Sequence, residues 1–391
     1  MKSREPLVLV ANARMPSQRA QSLQVAHCAA AYQRAGAETT LLHAARARTT
    51  PLPPGVTLFE FYGIRDGPLP AVDAVPCVDW IDRVPRALQY APSRLQEQTF
   101  ARNAARRVLA DFPDARVLSR EVETAVLLAR RGRGKVFLEV HRVPGGRLRR
   151  RWLVEASRRV RGILAISGGV RADLGRLGIP PERVRVEHDG FDPALFAGFP
   201  DRARARAALA LPEGVPIAVY TGGLLAWKGA DVLVEAARRL PDVYFVIAGG
   251  MDKDVKRLRA RAGGLANVRI DGFQPPTRVP TYLAAADLGV VPNRSKPAIS
   301  ARHTSPLKVF EAMAAGLPLV ASDVPSLREL LADGQDAFFV APDDPAALAQ
   351  GIGRLAGDAG MRASFSQRLR ARAADHGWDA RAERILDWME A

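Results

Sequence analysis

Two stretches in the second half of this sequence carry glycines and lysines spaced to handle a phosphate-type anion. Thr221-Gly222-Gly223 follows a short apolar run, and Lys228-Gly229 opens a segment in which Val232, Leu233, Ala236, Ala237 and Leu240 recur at helical spacing. Glycine lets backbone amides approach a phosphate, a helix N-terminus adds partial positive charge, and Lys228 adds a full one. The loop fits neither the P-loop nor the dinucleotide-fingerprint spacing, and a glycine pair beside a lysine is also ordinary turn chemistry with a solvated charge.

The second stretch runs from Ser305 to Gly316. Ser305 as N-cap, Pro306 at the first helical position and Gly316 at the end define a helix. Lys308 then falls in the first turn, where the helix dipole and the capping box favour an acid, so a bound anion would account for a cation there. Glu311 lies at i+3 on the same face. A surface ion pair between Lys308 and Glu311, worth a few tenths of a kcal/mol, is one reading. A lysine on phosphate beside a glutamate accepting from sugar hydroxyls is the other.

The elements that must position these residues alternate. Leu7 to Ala11 reads as a buried parallel strand, followed by a helical stretch from Gln21 to Ala35 that ends at Gly36. Short apolar runs recur at Glu38 to Leu42, Thr57 to Tyr62, Val117 to Ser119, Val136 to Val140 and Ile163 to Ser167, separated by Arg- and Ala-rich helical stretches. After the charged stretch Asp201 to Arg206 the alternation restarts with Ile217 to Thr221, Tyr244 to Ala248, Val268 to Asp271, Leu288 to Val291, Leu319 to Ala321 and Phe338 to Val340. This pattern predicts an α/β protein of two Rossmann-like domains facing across a cleft, with ligands at the strand C-terminal ends. The expected limits are residues 1–203 and 204–375, with a closing helical segment over 376–391.

Composition bounds the rest. At 391 residues the chain exceeds one ordinary hydrophobic core, and its 48% hydrophobic content is that of a globular protein. The start Met1-Lys2-Ser3-Arg4-Glu5 and the absence of a long apolar run predict neither a secretion signal nor a membrane span. Cys28 and Cys77 are too few for a disulfide framework or a Cys-based zinc site, which fits a reducing cytoplasm. The formal charge of +16 favours anionic partners, but most of it is Arg spread along many segments, as coding composition alone would give. No zinc motif or RNP-type aromatic strand speaks for nucleic acid. The basic segment Arg147 to Arg161 sets Leu148, Trp152, Leu153, Ala156 and Val160 on an apolar face, suited either to an anionic lipid surface at the inner side of a membrane or to internal packing.

Taken together, Tyr220-Thr221-Gly222-Gly223-Leu224 with Trp227-Lys228-Gly229, then Val246-Ile247-Ala248-Gly249-Gly250, then Ser305 to Gly316 with Ala321-Ser322-Asp323 resemble the C-terminal domain of family-four retaining glycosyltransferases of the GT-B fold. The first half adds, in the family's order, Asn12 to Ser17, Ser119-Arg120-Glu121, Glu139-Val140-His141, Ile166-Ser167 and His188-Asp189-Gly190-Phe191-Asp192.

The resemblance implies transfer of a hexose-type sugar from a nucleotide diphosphate sugar to a glycan, lipid-linked or small-molecule acceptor. It implies front-face displacement, with the leaving diphosphate taking the acceptor proton and no cofactor or metal required. By position, Glu311 is the second Glu of the family's E-x7-E pattern and would bind the donor ribose, while the first Glu falls at His303, a departure that bears on the donor sugar. The Ser305-Pro306-Leu307-Lys308 form of the motif resembles a subgroup in which backbone amides and Lys308 hold the diphosphate. Gly223 stands where many relatives carry an Arg, which leaves Lys228 as the principal phosphate cation and charge stabiliser. Gly249 and Gly250 line the donor site, and Phe273 sits where relatives contact the base, although it is equally placed to be core. His141, after Glu139, resembles the residue near the reacting sugar. Ser17, Gln18, Arg19 and Gln21 in the first loop would approach sugar and phosphate from the other domain, and with Arg120, Glu139 and His303 would make up the first-domain and acceptor side. The segment from Trp378 to Met389 resembles a helix that in this fold crosses back onto the first domain, and ordinary capping fits its spacing as well. Nucleotide-sugar epimerases, sugar phosphorylases and a catalytically degenerate scaffold are the rival readings.

Overall fold

The computed structural model describes residues 4–391. Met1 to Ser3, part of the start read above as lacking a secretion signal, lie outside the described residues. The chain divides into two compact units, residues 1–188 with 378–391, and residues 189–377. The segment from Asp189 to the expected boundary at 203 thus belongs with the second half. Its tie is the Asp189 N–H, which donates to Ser305 Oγ at 2.8 Å.

The first unit is built on seven parallel strands: β1 (Arg4–Arg14), β2 (Ala37–Ala45), β3 (Ala71–Pro76), β4 (Arg116–Ser119), β5 (Val136–Val140), β6 (Gly162–Ala165) and β7 (Val184–Val186), in the order β3-β2-β1-β4-β5-β6-β7. Every residue of β4, β5 and β6 is buried, as expected of parallel strands covered by helices on both faces. Val10 pairs with Ser119 and Ser119 with Leu138, so the chain leaving β4 stands between those leaving β1 and β5. The strand order reverses at β1 and β4, the crevice where open α/β sheets take ligands.

The second unit repeats the plan with β8 (Ile217–Thr221), β9 (Tyr244–Ala248), β10 (Val268–Gly272), β11 (Leu288–Val291), β12 (Leu319–Ser322) and β13 (Ala337–Val340), ordered β10-β9-β8-β11-β12-β13. Here the switch lies between β8 and β11, which puts Gly222 at the crevice.

One expected strand is a helix. Leu58–Phe61 forms a single turn, because Thr57 accepts from the Glu60 N–H while the Glu60 carboxylate accepts from the Thr57 N–H. This Thr-x-x-Glu capping box outweighed the β-propensity of Phe59, Phe61 and Tyr62. The edge strands β3 and β7 had no counterpart in the sequence reading. No helix of the described residues is long and apolar enough to cross a membrane.

Candidate functional site

In the second unit, two lysines converge on the Gly222-Gly223 loop. The buried ring of Tyr220, in β8, lies under the Lys308 ammonium with Nζ 3.3 Å from the ring centroid, a cation–π contact. The Tyr220 hydroxyl donates to the Gly223 carbonyl at 2.7 Å, tying ring and loop together. A Cβ on Gly222 would stand 3.6 Å from Lys308 Cε, and one on Gly223 would stand 3.7 Å from Lys228 Nζ. The loop is therefore flanked by two ammonium groups. Lys308 Nζ is buried with no hydrogen-bond partner.

Electrostatics at this loop is frustrated. Burial, and then the nearby Lys228 charge, holds the Lys308 ammonium well below its ordinary value, against the pull of Glu311. Burial lowers Lys228 as well, with Glu311 opposing. Burial pushes the Glu311 carboxyl up to about 7, against both lysines. Two cations facing one reluctant acid leave a site that an arriving anion would complete, and the reading of Lys308 and Glu311 as a surface ion pair does not fit the burial of Lys308.

The backbone is shaped for this approach. Gly249, at φ +127°, would place a Cβ 2.2 Å from the Gly222 carbonyl oxygen, and Gly250, at φ +88°, would drive one into Leu224 at 2.5 Å. Gly229, at φ +73°, would meet the Pro292 carbonyl oxygen at 1.8 Å. Only glycine allows β8, β9 and β11 to bring their exits this close. The helix Leu307–Ala315 starts after Pro306 and ends at the left-handed Gly316. Ser305 does not cap it with its side chain; that hydroxyl instead accepts from the Asp189 N–H. Lys308 is accordingly the second helical residue, one position earlier than expected.

In the first unit, strand exits assemble a chain of polar groups. The Glu139 carboxylate, from β5, accepts at Oε1 from His141 Nε2 at 3.1 Å and from Arg381 Nη2 at 3.0 Å. Arg120 Nη2 donates to His141 Nδ1 at 3.3 Å and to Gln24 Oε1 at 2.9 Å. Burial disfavours the Glu139 charge, but Arg381 and the His141 hydrogen bond more than offset this and hold it below the usual carboxylate range. Burial, and then Arg120, brings His141 down to about 4 against the pull of Glu139. At neutral pH the imidazole is therefore neutral, with Nε2 as donor and Nδ1 as acceptor, the one tautomer that satisfies both neighbours. Beside this chain the Glu121 carboxylate accepts from the Asn12 N–H at 3.1 Å, and burial raises it to about 7.

The remaining residues read from sequence are dispersed. Ser17 is buried, its N–H donating to the Tyr62 hydroxyl at 2.9 Å, whereas Gln18, Arg19 and Gln21 are exposed. Phe273 follows β10 and is 36% exposed, more than a core aromatic would be. His303, grouped with the acceptor side, lies in the second unit, buried in the turn where its N–H donates to the Ala298 carbonyl. In Arg147–Arg159 the apolar face packs inward through Leu153 and Ala156, with Val160 just beyond, and leaves Leu148 exposed. A depression of about 460 Å³ in the second unit lies at the other end of the sheet, beside Asp287 and Pro318, and holds none of Tyr220, Gly222, Gly223, Lys228, Lys308 and Glu311. Tyr220 and Arg381 were missed. Tyr220 stood inside a quoted motif but read as strand core, and nothing in the sequence joins Arg381 to Glu139.

Known proteins carry the same architecture. The family model described as Glycosyl transferases group 1 matches residues 201–372, and that described as Glycosyltransferase Family 4 matches residues 21–195. A D-inositol 3-phosphate glycosyltransferase of Xylanimonas cellulosilytica is 31% identical over 223 residues, 55% of this chain and 51% of that protein. One of the same description from Acidothermus cellulolyticus is 33% identical, covering 54% of this chain and 48% of that protein. The chain thus spans about half the length of these relatives. Among solved structures, sucrose-phosphate synthase of Thermosynechococcus elongatus superposes with a TM-score of 0.77 at 20% identity, covering 99% of this chain and 98% of that one. Anabaena HepE in complex with UDP and glucose gives 0.75 at 18%, covering 99% and 100%. The two parallel-sheet α/β domains are those of the GT-B fold.

Proposed function

We propose, from the premise that this chain carries both domains of a GT-B glycosyltransferase, that it transfers a hexose-type sugar from a nucleoside diphosphate sugar to an acceptor hydroxyl with retention at the anomeric carbon. The observation that carries this reading is the buried, unpartnered Lys308 ammonium beside Gly222-Gly223, with Lys228 on the same loop. Such a site is costly unless an anion arrives, and a diphosphate supplies one.

In this reading the bond from the anomeric carbon to the diphosphate oxygen breaks while the acceptor oxygen bonds on the same face, and the acceptor proton passes to the departing diphosphate. Lys228 and Lys308 stabilise the charge developing on the leaving oxygen, which needs no resident metal. Glu311 accepts from the donor ribose. Gly249 and Gly250 keep the loop open, and Phe273 lies against the base. In the first unit, Arg120, neutral His141 and the Ser17 to Gln21 loop serve the acceptor side of the reaction. The inositol phosphate named in the relatives makes a phosphorylated polyol the first acceptor to try, ahead of a glycan or lipid-linked one.

Thermal unfolding against UDP, GDP, ADP, TDP and their sugars, with and without EDTA, tests the donor half, since a ligand of the native state raises stability by RT ln(1 + [L]/Kd). One nucleotide is expected to stabilise selectively and equally in EDTA. NMR of the transfer product then reads the anomer. Nucleotide binding without turnover on any acceptor would favour a degenerate scaffold, and no shift with any nucleotide would remove the reading.

A further inference from the structure

The closing helix, Trp378–Glu390, is docked on the first unit by aromatic packing and by ion pairs that include Arg34 with Asp379, Arg4 with Asp387 and Glu390, Arg116 with Glu390, and Arg384 with Glu187. Arg381 does something else. It is 2% exposed, and its guanidinium donates from Nη2 to Glu139 Oε1 at 3.0 Å and from Nε to the His188 carbonyl at 2.7 Å, where the chain leaves the first unit. The oxygen it holds is the one that accepts from His141 Nε2.

We propose that Arg381 is a positioning residue for the sugar-transfer reaction: by sharing Glu139 Oε1 with His141 it fixes the imidazole as the neutral, Nε2-protonated ring. The inference rests on the transferase reading above for its catalytic consequence. A carboxylate oxygen with two donors in fixed directions cannot rotate, so the imidazole that depends on it cannot either. Its other neighbour, Arg120, demands an acceptor at Nδ1, which only this tautomer offers. The charged groups facing His141 are thus Glu139, Arg120 and, through Glu139, Arg381. Removing Arg381 leaves the full Glu139 charge to the imidazole, which favours imidazolium and puts a proton where Arg120 needs a lone pair.

Three variants separate positioning from docking. Arg381→Lys keeps the charge but loses the planar fork, Arg381→Met loses both, and Asp379→Ala removes only the exposed pair with Arg34. In protein labelled with 15N-histidine, His141 is assigned through His141→Gln. The wild-type ring is expected to show the neutral Nε2-protonated signature with a midpoint near 4. Arg381→Met should raise that midpoint by at least about one pH unit, with Arg381→Lys between the two and Asp379→Ala unchanged. Per folded molecule, kcat should fall at least tenfold in Arg381→Met, partly restored in Arg381→Lys, with KM for the nucleotide sugar unchanged. Where Arg381→Met does not fold, Arg381→Lys carries both readouts. A lowered thermal midpoint with an unchanged imidazole signature and unchanged kcat would reduce Arg381 to a docking residue and overturn the proposal, as would a shifted ring with unchanged kcat. The imidazole signature needs no substrate, so failure of the transferase reading shows separately, as the absence of any nucleotide effect on unfolding.

Discussion

Lys308 and Glu311 sit three residues apart on one helix, and their chemistry is opposite to that of an exposed i, i+3 pair. A buried ammonium without a hydrogen-bond partner destabilises the apo protein, so Lys308→Met should raise apo stability, by roughly 1–2 kcal/mol in denaturant unfolding, while weakening nucleotide diphosphate binding at least tenfold. A structural lysine would show the reverse sign on stability. Glu311 gives a pH test. Its folded-state value of about 7 lies above the ordinary 4.5, so between those values the folded protein holds a proton that the unfolded chain releases. Apo stability contributed by this group therefore falls as pH rises through that window, and Glu311→Gln should flatten the slope. Nucleotide affinity should move the other way, because a ribose hydroxyl donates more strongly to the carboxylate than to the acid. Affinity that is independent of pH in wild type, or equally dependent in Glu311→Gln, would remove Glu311 from the ribose. The residue types at 228, 308 and 311 could be read from the sequence. That Tyr220 would bed the Lys308 ammonium could not, since an aromatic in a central parallel strand reads as packing.

The helices and strands that carry these residues were legible where a single local signal ruled. Central strands such as Val136–Val140 read as apolar runs because both faces are covered, and Gly316 marked its helix end because the left-handed position there admits glycine most readily. Legibility failed where local signals competed or were weak. Thr57 to Tyr62 looked like a strand to anyone counting aromatics, while the Thr57–Glu60 capping box decided for a helical turn. Edge strand β3, with Ala71 and Val72 exposed, lacks the buried run that betrays a central strand. The site loops turn on glycines whose need is visible only in three dimensions. Gly249→Ala should cost roughly 2–4 kcal/mol and abolish nucleotide binding, because its Cβ would overlap the Gly222 carbonyl from a left-handed backbone. Gly134→Ala, with open space around it, should stay within about 0.5 kcal/mol of wild type. Equal effects in a calorimetric comparison would mean the β8 and β9 exits are not closely apposed.

At the scale of the whole chain, the two α/β halves followed from the repeated alternation, but the return of the last helix to the first sheet joins residues hundreds of positions apart and leaves only a resemblance as its trace. Each unit has its own core, one set including Val10, Leu138 and Ile163 and the other including Val219, Phe310 and Leu319. The last helix packs on the first unit outside that set: Trp388 meets Phe137 edge-on at 5.2 Å, and Trp378 stacks on His27 at 6.1 Å. Gly162 in β6 is what admits Trp388, since a Cβ there would stand 2.5 Å from the indole. Scanning calorimetry should therefore resolve two transitions with different levers. Gly162→Ala should lower one by several degrees through the misfit at Trp388 and leave the other in place, whereas a nucleotide diphosphate should raise the second and leave the first. If a nucleotide raised the transition that Gly162→Ala lowers, the donor site would be shared with or moved to the first unit, and the assignment of Lys228, Lys308 and Glu311 as a self-sufficient binding set would have to be abandoned.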